Sequence, residues 1–163
     1  MTDAMTSSAP TARSENHALR LDTYWPYQVT VLADLISRRT AMVVKREAGL
    51  NLSQWRVLAA IAERPGRTAA EVVAMTPMDK GIVSRATKAL LAEGLLYREA
   101  SQADGRVSHL FLTDKGCALY DALRPHVEAV PGPANARLNP DERDTFCRLV
   151  RQLAHAIPPA QDG

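Results

Sequence analysis

The chain is poor in the residues that carry covalent or metal chemistry. It has two cysteines in 163 residues, Cys117 and Cys147, far apart and without metal-ligand spacing. That excludes a disulfide framework and a zinc module, and both read as buried thiols of a reducing cytosol. His109 and His126 have no second ligand three or four residues away, and His17 and His155 lie near the termini. The sequence offers no paired carboxylates, no Ser-His-Asp set and no glycine-rich phosphate loop, so neither an enzyme nor a cofactor is expected. No apolar run approaches the roughly 20 residues of a membrane span. The opening residues, MTDAMTSSAPTARSENHA, lack the apolar core of a signal peptide and read as a small, polar, disordered tail. A cytoplasmic protein is expected. The net charge is only +2, so any basic surface has to be local.

Ordinary globular material is present: 46% hydrophobic and 23% charged residues, enough chain for one core. From Leu21 to Glu47 the pattern is a long helix with two apolar stripes. Val29, Leu32, Ile36 and Val43 form one, and Val31, Leu35 and Met42 the other. Burial on two sides is the physical reading, and a partner subunit can supply the second side. Pro26 suits the first turn. LNLSQWRVLAAIAERPG reads as a short helix with Ser53 as N-cap. Thr68 and Glu71 have capping-box spacing for the next, and a third helix runs from Asp79 to Ala92. Ile82, Val83, Ala86 and Leu90 form its inward stripe, and Gly94 its left-handed cap. LLYREA and VSHLFL are strand-like, with Asp104-Gly105 as a hairpin tip. Thr113 can cap a further helix, which Pro125 should kink or stop. PGPAN then reads as a firm break before a last helix starting at Asn139-Pro140.

Three short helices followed by a two-stranded hairpin are the layout of a winged helix-turn-helix. In that arrangement the second helix of the pair enters the major groove. Its outer face has to carry donors and small residues, and Lys80, Gly81, Ser84, Arg85 and Lys88 meet that need. Arginine is the commonest reader of guanine edges. Lys80 and Lys88 stand about 12 Å apart along the axis and can track phosphates beside Arg85. Near the hairpin tip, Arg106 can enter the narrow minor groove, with Asp104 holding its guanidinium. Any one of these residues alone would be an unremarkable surface charge. Their order in the motif argues for DNA.

At LNLSQWRVLAAIAERPGRTAAEV, MDKGIVSRATKALLAEGLLYREASQADGRVSHLFLTDKG and LNPDERDTFCRLVRQL the chain resembles the MarR (multiple antibiotic resistance regulator) family of transcription factors. The resemblance runs from Leu21 to about Ile157. DKGIVSRATKALLAEGLL, the wing element Asp104-Gly105-Arg106 and LTDKG are its most specific parts. It implies a mainly α fold, with a DNA-binding lobe over residues 49–113 and a dimerisation lobe from the N-terminal helix (19–48) and the C-terminal helices (114–157). Residues 1–18 and 158–163 would be tails. It further implies an obligate homodimer on a palindromic double-stranded operator, with half-sites about 10 bp apart. By position, Ser84, Arg85 and Lys88 inherit the major-groove role, Lys80 a phosphate, Arg106 the minor groove, and Asp104 its orientation. Members of the family usually repress and are released by a small anionic or phenolic ligand bound where the two lobes meet. The interrupted fifth helix departs from the family's long straight one.

In the family fold the segments YWPYQ and SQWRV come near each other. Tyr24, Trp25, Tyr27 and Trp55 could then stack on an aromatic effector, and Arg56 could pair with its carboxylate, assisted by Arg38 or Arg39. Against this, Trp55 is equally a core residue and Arg56 equally structural. The aromatic start with WRVL resembles regulators of aromatic-acid breakdown, which points to a phenolic acid or its coenzyme A thioester. Two other readings keep the fold. One is a thiol redox sensor using Cys117 or Cys147, and the other a DNA-binding protein that answers to no ligand.

Overall fold

The computed structural model describes residues 19–101 and 107–158. Within them the order is α1 (Trp25–Ala48), α2 (Leu52–Glu63), α3 (Ala69–Met75), α4 (Lys80–Ala92), β1 (Leu96–Ala100), β2 (Ser108–Leu112), α5 (Asp114–Glu128), α6 (Gly132–Asn135) and α7 (Pro140–Ala156). This is the expected mainly helical winged helix-turn-helix.

The chain divides into two units at Leu35. The first holds the turn before α1 and the first half of that helix. Gln28 Nε2 donates to the Leu21 carbonyl (2.7 Å), and Arg20 pairs with Asp22 (2.6 Å). That turn occupies the residues expected as the first helical turn, so α1 starts at Trp25, with Pro26 in its first turn. Val29, Val31, Leu32 and Leu35 are exposed.

The second unit contains the core. Val44, Leu50, Val57, Leu58, Ile61, Val72, Val83, Leu90, Leu95, Leu110 and Leu123 are almost fully buried, joining the C-terminal half of α1 to α2, α3, α4, the hairpin and α5. Helix starts are fixed by side chains that satisfy otherwise unpaired N–H groups. Thr68 and Glu71 form the expected capping box of α3. The Thr68 N–H donates to Glu71 (2.7 Å). Together with the Thr68 hydroxyl and Arg64, that bond holds the Glu71 carboxyl below the usual carboxylate range. Asp79 caps α4, Thr113 caps α5, and Asn139 with Glu142 boxes α7. Gly94 takes the left-handed conformation (φ 68°) that ends the turn after α4.

Three expectations are corrected and one is refined. The cap of α2 is Asn51, not Ser53: the Asn51 side chain accepts from the Gln54 N–H (2.9 Å), and Gln54 Oε1 accepts from the Asn51 N–H (2.8 Å). Helix α5 does not stop at Pro125 but runs on to Glu128. Near a helix end the missing proline N–H leaves only one carbonyl unpaired. PGPAN does break the helix, since α5 ends at Glu128 and α7 starts only at Pro140, but Gly132–Asn135 within it form a helical turn with proline at its start. Both cysteines are exposed rather than buried. Cys117 falls off the inward side of α5, where Gly116 and Leu123 are buried, and no residue of α7 is buried at all. Among the described residues no helix is long and apolar enough to cross a membrane.

Candidate nucleic-acid interface

Helix α4 is held by one face and free on the other. Val83, Ala86, Thr87 and Leu90 are buried, and Ile82 is partly so. Lys80, Gly81, Ser84, Arg85 and Lys88 are all exposed. The inner stripe thus fixes the rotation of the helix about its axis, and that rotation turns the donor-bearing stripe outward. Asp79 Oδ1 accepts from the Ile82 N–H (2.7 Å) and sets where the helix begins. A Cβ added at Gly81 would stand 3.2 Å from Asp79 Oδ1 and 3.4 Å from Arg85 Nη1. The Arg85 guanidinium therefore lies over the first turn, and glycine leaves the room for it. No carboxylate pairs with Lys80, Arg85 or Lys88 within the ion-pair distance among the described residues. Their charge is available to an outside anion.

The hairpin beside this helix is antiparallel, with Leu96 opposite Leu112 and Tyr97 opposite Phe111. The last two stack with ring centroids 5.4 Å apart. Two backbone bonds extend β2 toward the loop before α3. Gly66 N–H donates to the Leu110 carbonyl (2.9 Å), and Leu110 N–H donates to the Arg67 carbonyl (3.0 Å). His109 Nδ1 lies 2.8 Å from the Gly66 carbonyl. The sequence pattern gave no hint of this tie, since its partners are 43 residues apart. Asp104 and Arg106, the expected wing contacts, lie outside the described residues.

The segment LTDKG gains a physical explanation. Thr113 caps α5 and donates its hydroxyl to the Gly94 carbonyl (2.7 Å), while Lys115 Nζ donates to the Glu93 carbonyl (2.7 Å). The Thr113 N–H donates to Leu95 O (3.1 Å). A Cβ at Gly116 would fall 2.1 Å from that same oxygen. The start of α5 is therefore pressed against the turn that joins α4 to β1, at a distance only glycine permits.

Of the residues considered for an effector, Trp55 is buried and stacks on Tyr120 with centroids 5.6 Å apart. Arg56 is half-buried, and its Nη2 donates to Ser37 Oγ (3.1 Å). Tyr24, Trp25 and Tyr27 are exposed in the first unit, and Arg38 is exposed in the second. Among the described residues one buried hydroxyl, Thr87 Oγ1 on the inner face of α4, has no hydrogen-bond partner.

Comparison with known proteins follows the same lines. Residues 48–107 match the model of the MarR family. The chain is 27% identical over 125 residues to the transcriptional regulator HosA of Escherichia coli, spanning 77% of this chain and 93% of that one. Its fold is similar to the crystal structure of a MarR-family transcriptional regulator from Silicibacter pomeroyi, at 25% identity and a TM-score of 0.77 over 88% and 96% of the two chains. It is also similar to BpsR of Bordetella bronchiseptica, at 27% identity and a TM-score of 0.64 over 78% and 98%, in a structure concerned with regulation of DNA binding by 6-hydroxynicotinic acid.

Proposed function

We infer that this chain is a DNA-binding transcription regulator of the MarR family, whose pattern its residues 48–107 carry. The observation that carries the reading is the outer face of α4, where Lys80, Gly81, Ser84, Arg85 and Lys88 are exposed together on a helix whose opposite face is locked into the core. We propose that the protein binds a palindromic operator as a homodimer and represses. Arg85 reads a base edge, Ser84 assists, and Lys80 and Lys88 contact phosphates. Residues 19–48 and 114–157 form the dimerisation lobe. The apolar side chains of α1 and α7 left exposed in one chain support this, Leu35, Phe146 and Leu149 among them. Arg106 and Asp104 serve the minor groove. The reading predicts that selection from random duplexes by the purified protein yields one two-fold symmetric sequence. Recovery of unrelated sequences at equal affinity would sink it.

The effector is proposed to be a small aromatic or phenolic acid, or its coenzyme A thioester. Support comes from BpsR, whose DNA binding is regulated by 6-hydroxynicotinic acid, an aromatic carboxylate. Arg56 is the candidate carboxylate partner, with Arg38, Tyr24, Trp25, Tyr27 and Trp55 as candidate walls. Fluorescence anisotropy on the selected operator tests it: an aromatic acid should release the wild-type protein and not Arg56→Gln. If no member of an aromatic-acid panel releases the DNA, the effector reading fails and the DNA reading stands. The exposure of Cys117 and Cys147 favours one second reading, a thiol switch. It requires peroxide to abolish operator binding and reductant to restore it.

A further inference from the structure

Between α4 and the hairpin, on the flank of the exposed α4 face, lies a cleft of about 380 Å³. Thr68 and Ala70 at the start of α3 border it, with Thr87 of α4 and Arg98, Ser108 and Leu110 of the hairpin. Arg98 stands opposite Leu110, and Leu96 opposite Leu112. Side chains two apart on a strand share a face, so Arg98 belongs to the face whose Leu96 and Leu110 are buried in the core. An apolar side chain is what that alternation asks for, and a guanidinium takes its place where the core ends. Arg98 is exposed and makes no ion pair or side-chain hydrogen bond among the described residues. No carboxylate of the described residues lines the cleft. Ser108, half-buried, is the diagonal cross-strand neighbour of Arg98 on that face. Thr87 is a second anomaly. It is 1% exposed, and its hydroxyl has no partner among the described residues. Thr30, Thr40 and Thr76 each donate to the carbonyl four residues back, the usual partner of a helical threonine. Thr87 does not take that bond, although an unpaired buried hydroxyl destabilises the fold. A χ1 turn between the two rotamers open to a helical threonine offers it to the cleft instead. Lys80, Ser84 and Thr87 stand at i, i+4 and i+7, so the exposed stripe and the border of the cleft share one side of α4.

We propose that this cleft seats one phosphodiester group of the operator backbone, with the Arg98 guanidinium as charge partner and the Ser108 and Thr87 hydroxyls as further donors. This rests on the DNA reading of α4 and adds a contact beside the exposed stripe. The major groove is about 12 Å wide, and a helix with its side chains is about 10–12 Å across. A helix in the groove therefore has the strand backbones against its flanks, and a space on the flank of α4 faces one of them. A planar guanidinium meets two phosphate oxygens through parallel N–H bonds. Its single charge matches that of a phosphodiester, and the hydroxyls can donate to the remaining lone pairs.

The test titrates the full chain onto the selected operator by fluorescence anisotropy, across a salt series and with each operator phosphate in turn replaced by a neutral methylphosphonate. Wild type should lose affinity at one phosphate position per half-site, and Arg98→Gln should be indifferent to that replacement. Arg98→Gln should itself bind about tenfold more weakly or worse. Its slope of log affinity against log salt should fall by about one per half-site, at an unchanged melting temperature and an unchanged base preference. Arg98→Lys should keep the slope and recover part of the affinity. Lys88→Ala should still feel the same methylphosphonate, because it holds another phosphate. Thr87→Val should raise the melting temperature, since it removes an unpaired hydroxyl, and yet weaken operator binding, which a merely structural threonine would not do. An Arg98→Gln protein with the wild-type slope and methylphosphonate profile overturns the proposal while the DNA reading stands. A changed base preference overturns it too, because Arg98 then reads a base. Full operator affinity in Thr87→Val overturns the seat as drawn. If the wild-type protein binds no duplex, the DNA reading fails and this proposal with it.

Discussion

Arg85 is exposed, has no carboxylate partner among the described residues, and its guanidinium lies beside Gly81 over the first turn of α4. Truncating it to alanine removes a possible bidentate base contact but nothing from the core. Arg85→Ala should therefore cost about 1–3 kcal/mol of operator binding and relax preference at one base pair, leaving the melting temperature unchanged. Unaltered discrimination among operator variants would remove the assignment. Lys88→Ala should weaken every sequence alike and lower the slope of log affinity against log salt by about one. Gly116 is the opposite case, outside the proposed contact face yet intolerant. Its missing Cβ is what lets Leu95 O approach. Gly116→Ala should destabilise the fold by about 1–3 kcal/mol through backbone displacement, read as a lower midpoint in urea. A midpoint equal to wild type would show that the turn yields without cost.

At the scale of elements, caps decide where helices begin, and one of them titrates. In folded α3 the Glu71 carboxyl is held low by the Thr68 N–H, the Thr68 hydroxyl and Arg64. A depressed carboxyl stabilises the fold above its unfolded pKa, and that contribution is lost as pH falls through the lower folded value. Acid unfolding monitored by circular dichroism should therefore begin at a higher pH in wild type than its other carboxylates alone would give. Glu71→Gln should show a shallower acid dependence over the range below about pH 4. Parallel acid profiles for the two proteins would contradict this. The Thr68 and Thr113 caps were legible in sequence because each is a short polar side chain just ahead of an apolar periodic run, whereas Asp79 and Asn139 were read only as the starts of their helices and cap them in the structure. Asn51 was misread for a related reason. Asn51 and Ser53 are both good caps, and what separates them is Gln54, three residues after Asn51, which completes the box. The exposure of Cys117 lay one helical step off an apolar stripe, which a reading by hydrophobic neighbours overlooks. The Gly66–His109 tie was invisible because nothing local encodes a pairing across the α3–α4 segment. The outer face of α4 was legible for the converse reason. Its inner residues are strongly apolar, so the rotation of the helix follows from periodicity alone.

At the scale of the whole molecule, α7 has an apolar side but no buried residue in a single chain, with Phe146, Leu149, Val150 and Leu153 all exposed. Such a run of apolar surface is what a subunit contact covers. Leu149→Asp should give a monomer by sedimentation, with operator affinity reduced at least tenfold because one half-site alone is then held. A dimeric Leu149→Asp protein with full affinity would place the subunit contact elsewhere.

The junction at Thr113–Gly116 has a consequence for control. Five consecutive residues, Leu112 to Gly116, end the hairpin, cap α5 and grip the carbonyls at the end of α4. Helix α4, the proposed reader, and the hairpin are bolted to the same end of the same shaft, so a shift of one carries the other. On the proposed DNA reading, a signal arriving along α5 would turn this whole head as one gear. What it could change is where the head sits along the duplex, and not which letters the head recognises.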